Sequence, residues 1–331
     1  HYKTIQAIID CRSGELGTIT YKCSDCGQLH VVGLSCGNRH CPQCQNHKTQ
    51  EWLRKQLAKQ LAEQYFMITF TLPKELRLFI RANQKAGYNA LFKASSEALK
   101  KLAKDKRFIG SDLPGFTGVL HTWGRQLQYH PHIHYIVVGG GLSNDRSEWI
   151  SSRKDFYVHI KPLSKLYKSI FKREMQKANL IDNISQSVWE KDWVVDSQAV
   201  GKAEASLKYL APYIFRIAIS NSRIIKVENR IVFFKYKKHG SNKFKTMKLE
   251  VMEFMRRFLQ HILPSGFMKV RHYGFMNPGC KISFEKIKKL VEEKTGDTTP
   301  PVNDISPPPA FCEDCGGILY RVDIIISKKP K

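Results

Sequence analysis

Short alternating or continuous apolar stretches predict strands along this chain, and longer stretches with a 3.6-residue period predict helices. FMITFTL (66–72) is an apolar run ended by Pro73 and predicts a buried strand. FTGVLHTW (116–123) and HIHYIVVG (132–139) predict two further strands joined by a short connection. Helices are expected at 48–64, where KTQEWLRKQLAKQLAEQ has neither Gly nor Pro, within 74–105 as one or two basic helices, and at 163–179. A strand is expected near 155–160, another at WVVD (193–196), then a helix over 201–217 and a strand meander over 222–249. EVMEFMRRFLQHIL (250–263) predicts a helix stopped by Pro264, and SFEKIKKLVEEK (283–294) predicts one more. GDTTPPVNDISPPP (296–309) has no core-forming pattern and reads as a linker ahead of a short tail. The expected organisation is an N-terminal module over 1–50, a main domain over 51–250, a helical segment over 251–295 and a linker with tail over 296–331.

Charge narrows the partner. Lys and Arg total 54 against 29 acidic residues, a formal net charge of +25 over 331 residues. A surplus of this size favours a polyanion through counterion release, so nucleic acid is the expected partner. No apolar run reaches 18 residues, and no membrane span is expected. The chain starts at His1, which points to trimming upstream; no secretory pattern follows, and a cytoplasmic, nucleoid-associated protein is expected.

Six of the nine cysteines fall in the first 44 residues. The odd count and the C-x-x-C spacing suit metal in a reducing compartment better than disulfides. Cys23-x-x-Cys26 and Cys41-Pro-x-Cys44 are spaced as the two knuckles of one four-cysteine structural zinc site. His1, Cys11, Cys36 and His40 leave two readings open: a second, interleaved zinc site, or a core cysteine with a capping or DNA-facing histidine. His47 is a weaker substitute ligand. Arg39, Lys48 and Arg54 are candidates for phosphate contacts. Cys312 and Cys315 in the tail are half a zinc site, completed from elsewhere or left empty.

The segment Tyr129-His130-Pro131-His132-Ile133-His134 carries the sharpest chemistry. Residues i and i+2 of a strand share a face, so His132 and His134 present two imidazoles side by side. His121 ends the preceding strand, and a hairpin through 124–130 would bring it opposite that pair. Three histidines leave open positions for water and a substrate oxygen, as a catalytic metal site requires. His130 ranks below His121, and Gln126 or Gln128 would substitute in another register. Further on, Tyr209 and Tyr213 are four apart in GKAEASLKYLAPYIFRI, which puts both phenols on one helix face, with Pro212 between them. On spacing alone, two aromatics at i and i+4 are more often core packing. Beside the histidines, a phenol becomes a candidate nucleophile toward phosphorus, helped by Lys202, Lys208 and Arg216. Asn221 and Arg223 are further candidates for DNA contact. No phosphate-binding glycine loop is present, so no nucleotide cofactor is expected.

The order SCGNRHCPQC, FTLP, HTWGRQLQYHPHIHYIVVGGG, YLAPYIFRIAISNSRI and RHYGF resembles the transposases of the insertion sequence 91 family and the related common-region elements, over about residues 1–280. The resemblance implies an α+β fold whose core is an HUH endonuclease, a central antiparallel sheet flanked by helices. It maps the HUH pair onto His132 and His134, and the two family tyrosines onto Tyr209 and Tyr213; relaxase cousins place their third histidine as His121 is placed here. It implies Mg²⁺ or Mn²⁺ at the histidines, 5′-phosphotyrosine intermediates, and rolling-circle-like transposition of single-stranded DNA with hairpin-containing element ends. Two other functions compete: a plasmid relaxase or replication initiator on the same core, and a non-catalytic zinc protein that binds DNA without cutting it.

Overall fold

A computed structural model describes residues 1–44, 51–53, 55–57, 59–202, 218–237, 243–299 and 309–327. Along the chain these form α1 (Tyr2–Ile9), β1 (Gly17–Cys23), β2 (Leu29–Gly33), β3 (Gln64–Thr71), α2 (Leu76–Ala82), α3 (Gln84–Lys104), β4 (Leu113–Trp123), β5 (Tyr129–Leu142), β6 (Trp149–Ser151), α4 (Ile160–Lys177), β7 (Val195–Lys202), β8 (Ile224–Glu228), β9 (Ile231–Lys237), β10 (Phe244–Glu250), α5 (Val251–Leu259), β11 (Val270–Gly274), α6 (Phe284–Thr295) and β12 (Leu319–Ile326). They fall into two compact units. The larger holds the described residues of 55–214 and 263–301, the other those of 1–54, 215–262 and 302–331.

The larger unit is built on a six-stranded sheet of order β11-β4-β5-β3-β7, with β6 paired to β5. Every pairing in it is antiparallel. Alternation sorts the side chains. Phe66, Ile68 and Phe70 of β3, Phe116 and Leu120 of β4, and Ile133, Tyr135 and Val137 of β5 join one buried cluster with α3 and α4. Full burial of each such side chain contributes roughly 1.5–3 kcal/mol. Tyr135 sits at its centre, edge-on to Phe70 and Phe116, with its hydroxyl 2.8 Å from Ser95 Oγ. Gly118 lies opposite Tyr135 because a Cβ there would approach the ring to 2.4 Å.

The RHYGF segment is the edge strand β11. Arg271 stacks over Phe92 and Phe267 and donates to Asn89 Oδ1 at 2.6 Å. Tyr273 stacks on Phe116, and His272 Nδ1 is 2.8 Å from Thr117 Oγ1. Gly274 closes the strand at φ 61°, where a Cβ would overlap the Pro114 carbonyl. These contacts lock an edge strand onto β4, with Thr117 and His272 155 residues apart in the chain.

The second unit contains two small sheets, β12-β1-β2 and β10-β9-β8. Glu250 caps α5 by accepting from the backbone N–H groups of Met252 and Glu253. In the larger unit Ser283 caps α6 in the same way, and Gly296 ends that helix in the left-handed conformation.

Three expectations about the framework differ from what is found. Residues 155–160 form no strand: an isolated Arg153–Phe156 bridge closes a turn, and an irregular stretch with Tyr157 and Val158 buried leads into α4 at Ile160. The meander 224–250 groups in one compact unit with the N-terminal module, and not with the rest of the expected 51–250 domain. The segment 251–295 is not purely helical, since it supplies β11 to that sheet. In the expected helix 48–64, residues 51–53 and 55–57 are helical but 59–63 are not and Gln64 begins β3, and the expected helix 201–217 lies outside the described residues apart from its first two positions.

Candidate metal centres

The hairpin β4–β5 brings three histidines together. His121 pairs directly opposite His132, and Val119 opposite His134, so all three rings share the sheet face turned away from α3 and α4. Ring centroids are 5.5 Å apart for His121–His132, 5.0 Å for His121–His134 and 4.7 Å for His132–His134. One ligand nitrogen from each lies within 4.8 Å of the others. His121 and His132 are buried and His134 is half-buried.

Neighbours fix two of the rings. His132 Nδ1 donates to the His130 carbonyl at 2.7 Å, which fixes the tautomer with its lone pair on Nε2. Thr69 of β3 sits opposite His134, with its Oγ1 2.9 Å from Nδ1. His121 stacks on Trp123 at 4.6 Å. Asp196 of β7, opposite Thr69, lies on the same face and accepts from Gln198 Nε2 at 2.8 Å. Thr69 and Asp196 were not singled out from the sequence: each lies in a strand with no distinctive motif, and only register places it here. His130 lies outside the triad, and burial, with His132 and Arg77 nearby, pushes it down to about 3. Gln128 is spent on the turn, its Oε1 accepting from the Gln126 N–H at 3.0 Å.

The cysteines are grouped differently from the single site read in the sequence. Cys41 and Cys44 gather with Cys11 and Cys36, while Cys23 and Cys26 gather with Cys312 and Cys315. The reason is topological: β12 pairs antiparallel with β1, Cys23 opposite Leu319, and carries the tail pair to the first knuckle. Within the first tetrad Cys36 Sγ lies 3.8 Å from Cys44 Sγ. A tetrahedral zinc ion with bonds of about 2.3 Å sets its sulfurs about 3.8 Å apart. None of the nine cysteines is in a disulfide. The backbone N–H of Cys26 is the main influence that holds the Cys23 thiol down to about 6. Neither His1 nor His40 joins a tetrad: His1 is the residue before α1, and the His40 N–H donates to Asn38 Oδ1.

The expected DNA contacts divide. Arg39 is half-buried in the module, and Arg223 donates through Nε to the Lys235 carbonyl at 2.8 Å, which ties β9 to the one-turn helix Asn221–Arg223. Lys202 ends β7. Lys48, Arg54, Lys208, Tyr209, Tyr213 and Arg216, with His47 and Pro212, lie outside the described residues.

A basic α+β chain with a histidine triad on its main sheet and two cysteine tetrads belongs, by these features, with metal-binding proteins that act on nucleic acid. The family described as "Transposase zinc-binding domain" matches residues 1–72, and that described as "Putative transposase" matches residues 115–283. The "Putative transposase y4qJ" of Sinorhizobium fredii (strain NBRC 101917 / NGR234) is 35% identical over 83% of this chain and 74% of its own length. The "Transposase for insertion sequence element IS801" of Pseudomonas savastanoi pv. phaseolicola is 26% identical over 90% of this chain and 76% of its own length. No solved structure matches the chain. The chain belongs to the insertion sequence 91 family of transposases. Its N-terminal region is a zinc-binding module. Among the described residues, no helix is long and apolar enough to cross a membrane.

Proposed function

We propose that this transposase cuts and rejoins single-stranded DNA at element ends through 5′-phosphotyrosine intermediates, at a divalent ion held by His121, His132 and His134. The observation that carries the reading is the convergence of three imidazole nitrogens within 4.8 Å, two of them oriented by partners at Nδ1. The donor set fits a resident divalent ion: three neutral imidazoles leave coordination positions for water and a phosphate oxygen. Nitrogen donors suit Mn²⁺ better than the harder Mg²⁺. When bound, the ion would supply electrophilic polarisation of the scissile phosphate.

The chain's own groups do the rest. The His130 carbonyl and Thr69 Oγ1 engage Nδ1 of His132 and of His134, so Nε2 is the nitrogen each ring would offer the ion. Tyr209 or Tyr213 attacks phosphorus. A Tyr O–P bond forms, the P–O3′ bond breaks, and the phenol proton is given up as the 3′-oxygen leaves as a hydroxyl. A free 3′-hydroxyl reverses the exchange, which conserves ester energy and needs no nucleotide. Lys202, Lys208 and Arg216 offset the phosphate charge, Arg39, Lys48 and Arg54 with Asn221 and Arg223 contact the strand backbone, and the +25 charge draws in the strand. Cys11, Cys36, Cys41 and Cys44 hold one structural zinc ion in a closed shell without an open position.

The test incubates the protein with single-stranded oligonucleotides that carry the element ends and Mn²⁺, and resolves covalent protein–DNA adducts on denaturing gels. The expected result is an adduct from the wild type and none from Tyr209→Phe/Tyr213→Phe or His132→Ala/His134→Ala. An undiminished adduct from the double phenylalanine variant overturns the tyrosine assignment. DNA left uncut by the wild type favours the non-catalytic zinc protein.

A further inference from the structure

Cys23-Ser-Asp-Cys26-Gly27 and Cys312-Glu-Asp-Cys315-Gly316 are two copies of one local geometry from opposite ends of the chain. Each C-x-x-C is followed by a glycine in the left-handed region, Gly27 at φ 69° and Gly316 at φ 79°, where a side chain would be strained. In each, the first cysteine donates its backbone N–H across the turn, Cys23 to the Gln28 carbonyl at 2.9 Å and Cys312 to the Gly317 carbonyl at 2.8 Å. The two turns then clasp each other. Ser24 N–H donates to the Ile318 carbonyl at 2.9 Å, and the Ile318 N–H donates back to Ser24 Oγ at 3.1 Å. Behind them β1 is sandwiched between β2 and β12 in a three-stranded antiparallel sheet.

The four sulfurs meet at the top of that sheet. Cys23 Sγ is 3.4 Å from Cys315 Sγ, and Cys26 Sγ is 3.9 Å from Cys312 Sγ, with all four within 4.8 Å. These separations bracket the roughly 3.8 Å edge of a tetrahedral zinc–sulfur shell and are far beyond the roughly 2.0 Å of a disulfide. Outer contacts orient the sulfurs as they do around a metal: Asp25 N–H donates to Cys23 Sγ at 3.4 Å, and His30 Nε2 lies 3.3 Å from Cys312 Sγ. Gly317 leaves room for the cluster, since a Cβ there would come within 2.7 Å of Cys23 Sγ. The family zinc-binding match ends at residue 72 and does not include the tail pair.

We infer that Cys23, Cys26, Cys312 and Cys315 hold a second structural zinc ion, one that closes a zinc ribbon from the two ends of the chain. The C-terminal tail is thereby a part of the N-terminal module. Its first knuckle cannot coordinate fully until Cys312 and Cys315 arrive, and a chain cut in the proline-rich stretch keeps its tail for as long as the ion is bound. This assignment stands apart from the cleavage chemistry, and its readout requires no activity.

The test is a zinc count on the purified full chain, by elemental analysis and by colorimetric release, in a His132→Ala/His134→Ala background that removes the histidine site. Two zinc ions per chain are expected. Cys312→Ser/Cys315→Ser lowers the count to one, Cys23→Ser/Cys26→Ser lowers it to one, and all four substitutions together still leave one, because both pairs serve the same ion. Cys315→His keeps a ligand and retains two, which separates loss of coordination from loss of folding. A tail pair that can be removed with two ions retained, or losses that add to zero, overturns the proposal. A second readout places a specific protease site between Pro301 and Pro307. After cleavage the tail peptide co-elutes with the body and is released by a chelator; release without chelator counts against the shared ion.

Discussion

Thr69 Oγ1 lies 2.9 Å from His134 Nδ1, across the β3–β5 pairing that sets the two residues opposite one another. With Nδ1 engaged by the hydroxyl, Nε2 is the nitrogen that His134 would offer an ion. Partners of this kind typically change metal affinity about 10–100-fold. Thr69→Val is therefore expected to weaken Mn²⁺ binding by about that factor while the thermal midpoint moves little, and Thr69→Ser to restore it. Isothermal titration with Mn²⁺ checks this; unchanged affinity in Thr69→Val would show that the ring is held by other means.

Gly118 tests the core under the site. Its missing Cβ leaves space for the Tyr135 ring, which a methyl group would approach to 2.4 Å. Tyr135 is fully buried among Phe70, Phe116 and Tyr273 and has nowhere to retreat. Gly118→Ala is expected to cost about 1–3 kcal/mol, as overpacked cores do. Urea unfolding measures it, and a variant as stable as the wild type contradicts the close approach.

Glu97 gives a pH signature to the pairing of α3 with α4. Hydrogen bonds from Arg173, with Lys101 beside it, hold its carboxyl down to about 2. A carboxyl depressed by folding stabilises the native state above its unfolded value of about 4.3, and that contribution fades as pH falls toward 2. Arg173 is 38% exposed, so solvent screening limits the pair to about 1 kcal/mol. Glu97→Gln should unfold at lower urea than the wild type at pH 7 and at nearly the same urea near pH 2.5. A gap that widens in acid would contradict the assignment.

The metal preference of the site follows from its donors. Three nitrogens with no carboxylate in the group favour Mn²⁺ over Mg²⁺. DNA cleavage is expected to saturate at lower Mn²⁺ than Mg²⁺ concentration, by at least about tenfold, in side-by-side titrations. Equal or reversed concentrations would point to oxygen ligands beyond the triad.

How far the sequence could be read depended on how local each constraint is. The histidine triad was legible because H-x-H on a strand and His121 one hairpin earlier are fixed by alternation and a short turn, both local. The partition of the cysteines was not, because Cys23 and Cys26 lie close to Cys41 and Cys44 in the chain yet meet residues 286 or more positions away. Edge strand β11 was missed for the same reason, since RHYGF has no strand signal of its own and is held by Phe92, Phe116 and Thr117. Around 155–160, burial of Tyr157 and Val158 imitated a strand where an irregular stretch enters α4.

The most direct test of the central reading is anomalous diffraction from Mn²⁺-soaked crystals of the full chain. The account predicts one manganese peak at bonding distance, about 2.1–2.3 Å, from a ring nitrogen of each of His121, His132 and His134. No peak between those three rings at saturating Mn²⁺, with the rings where they stand here, would contradict it.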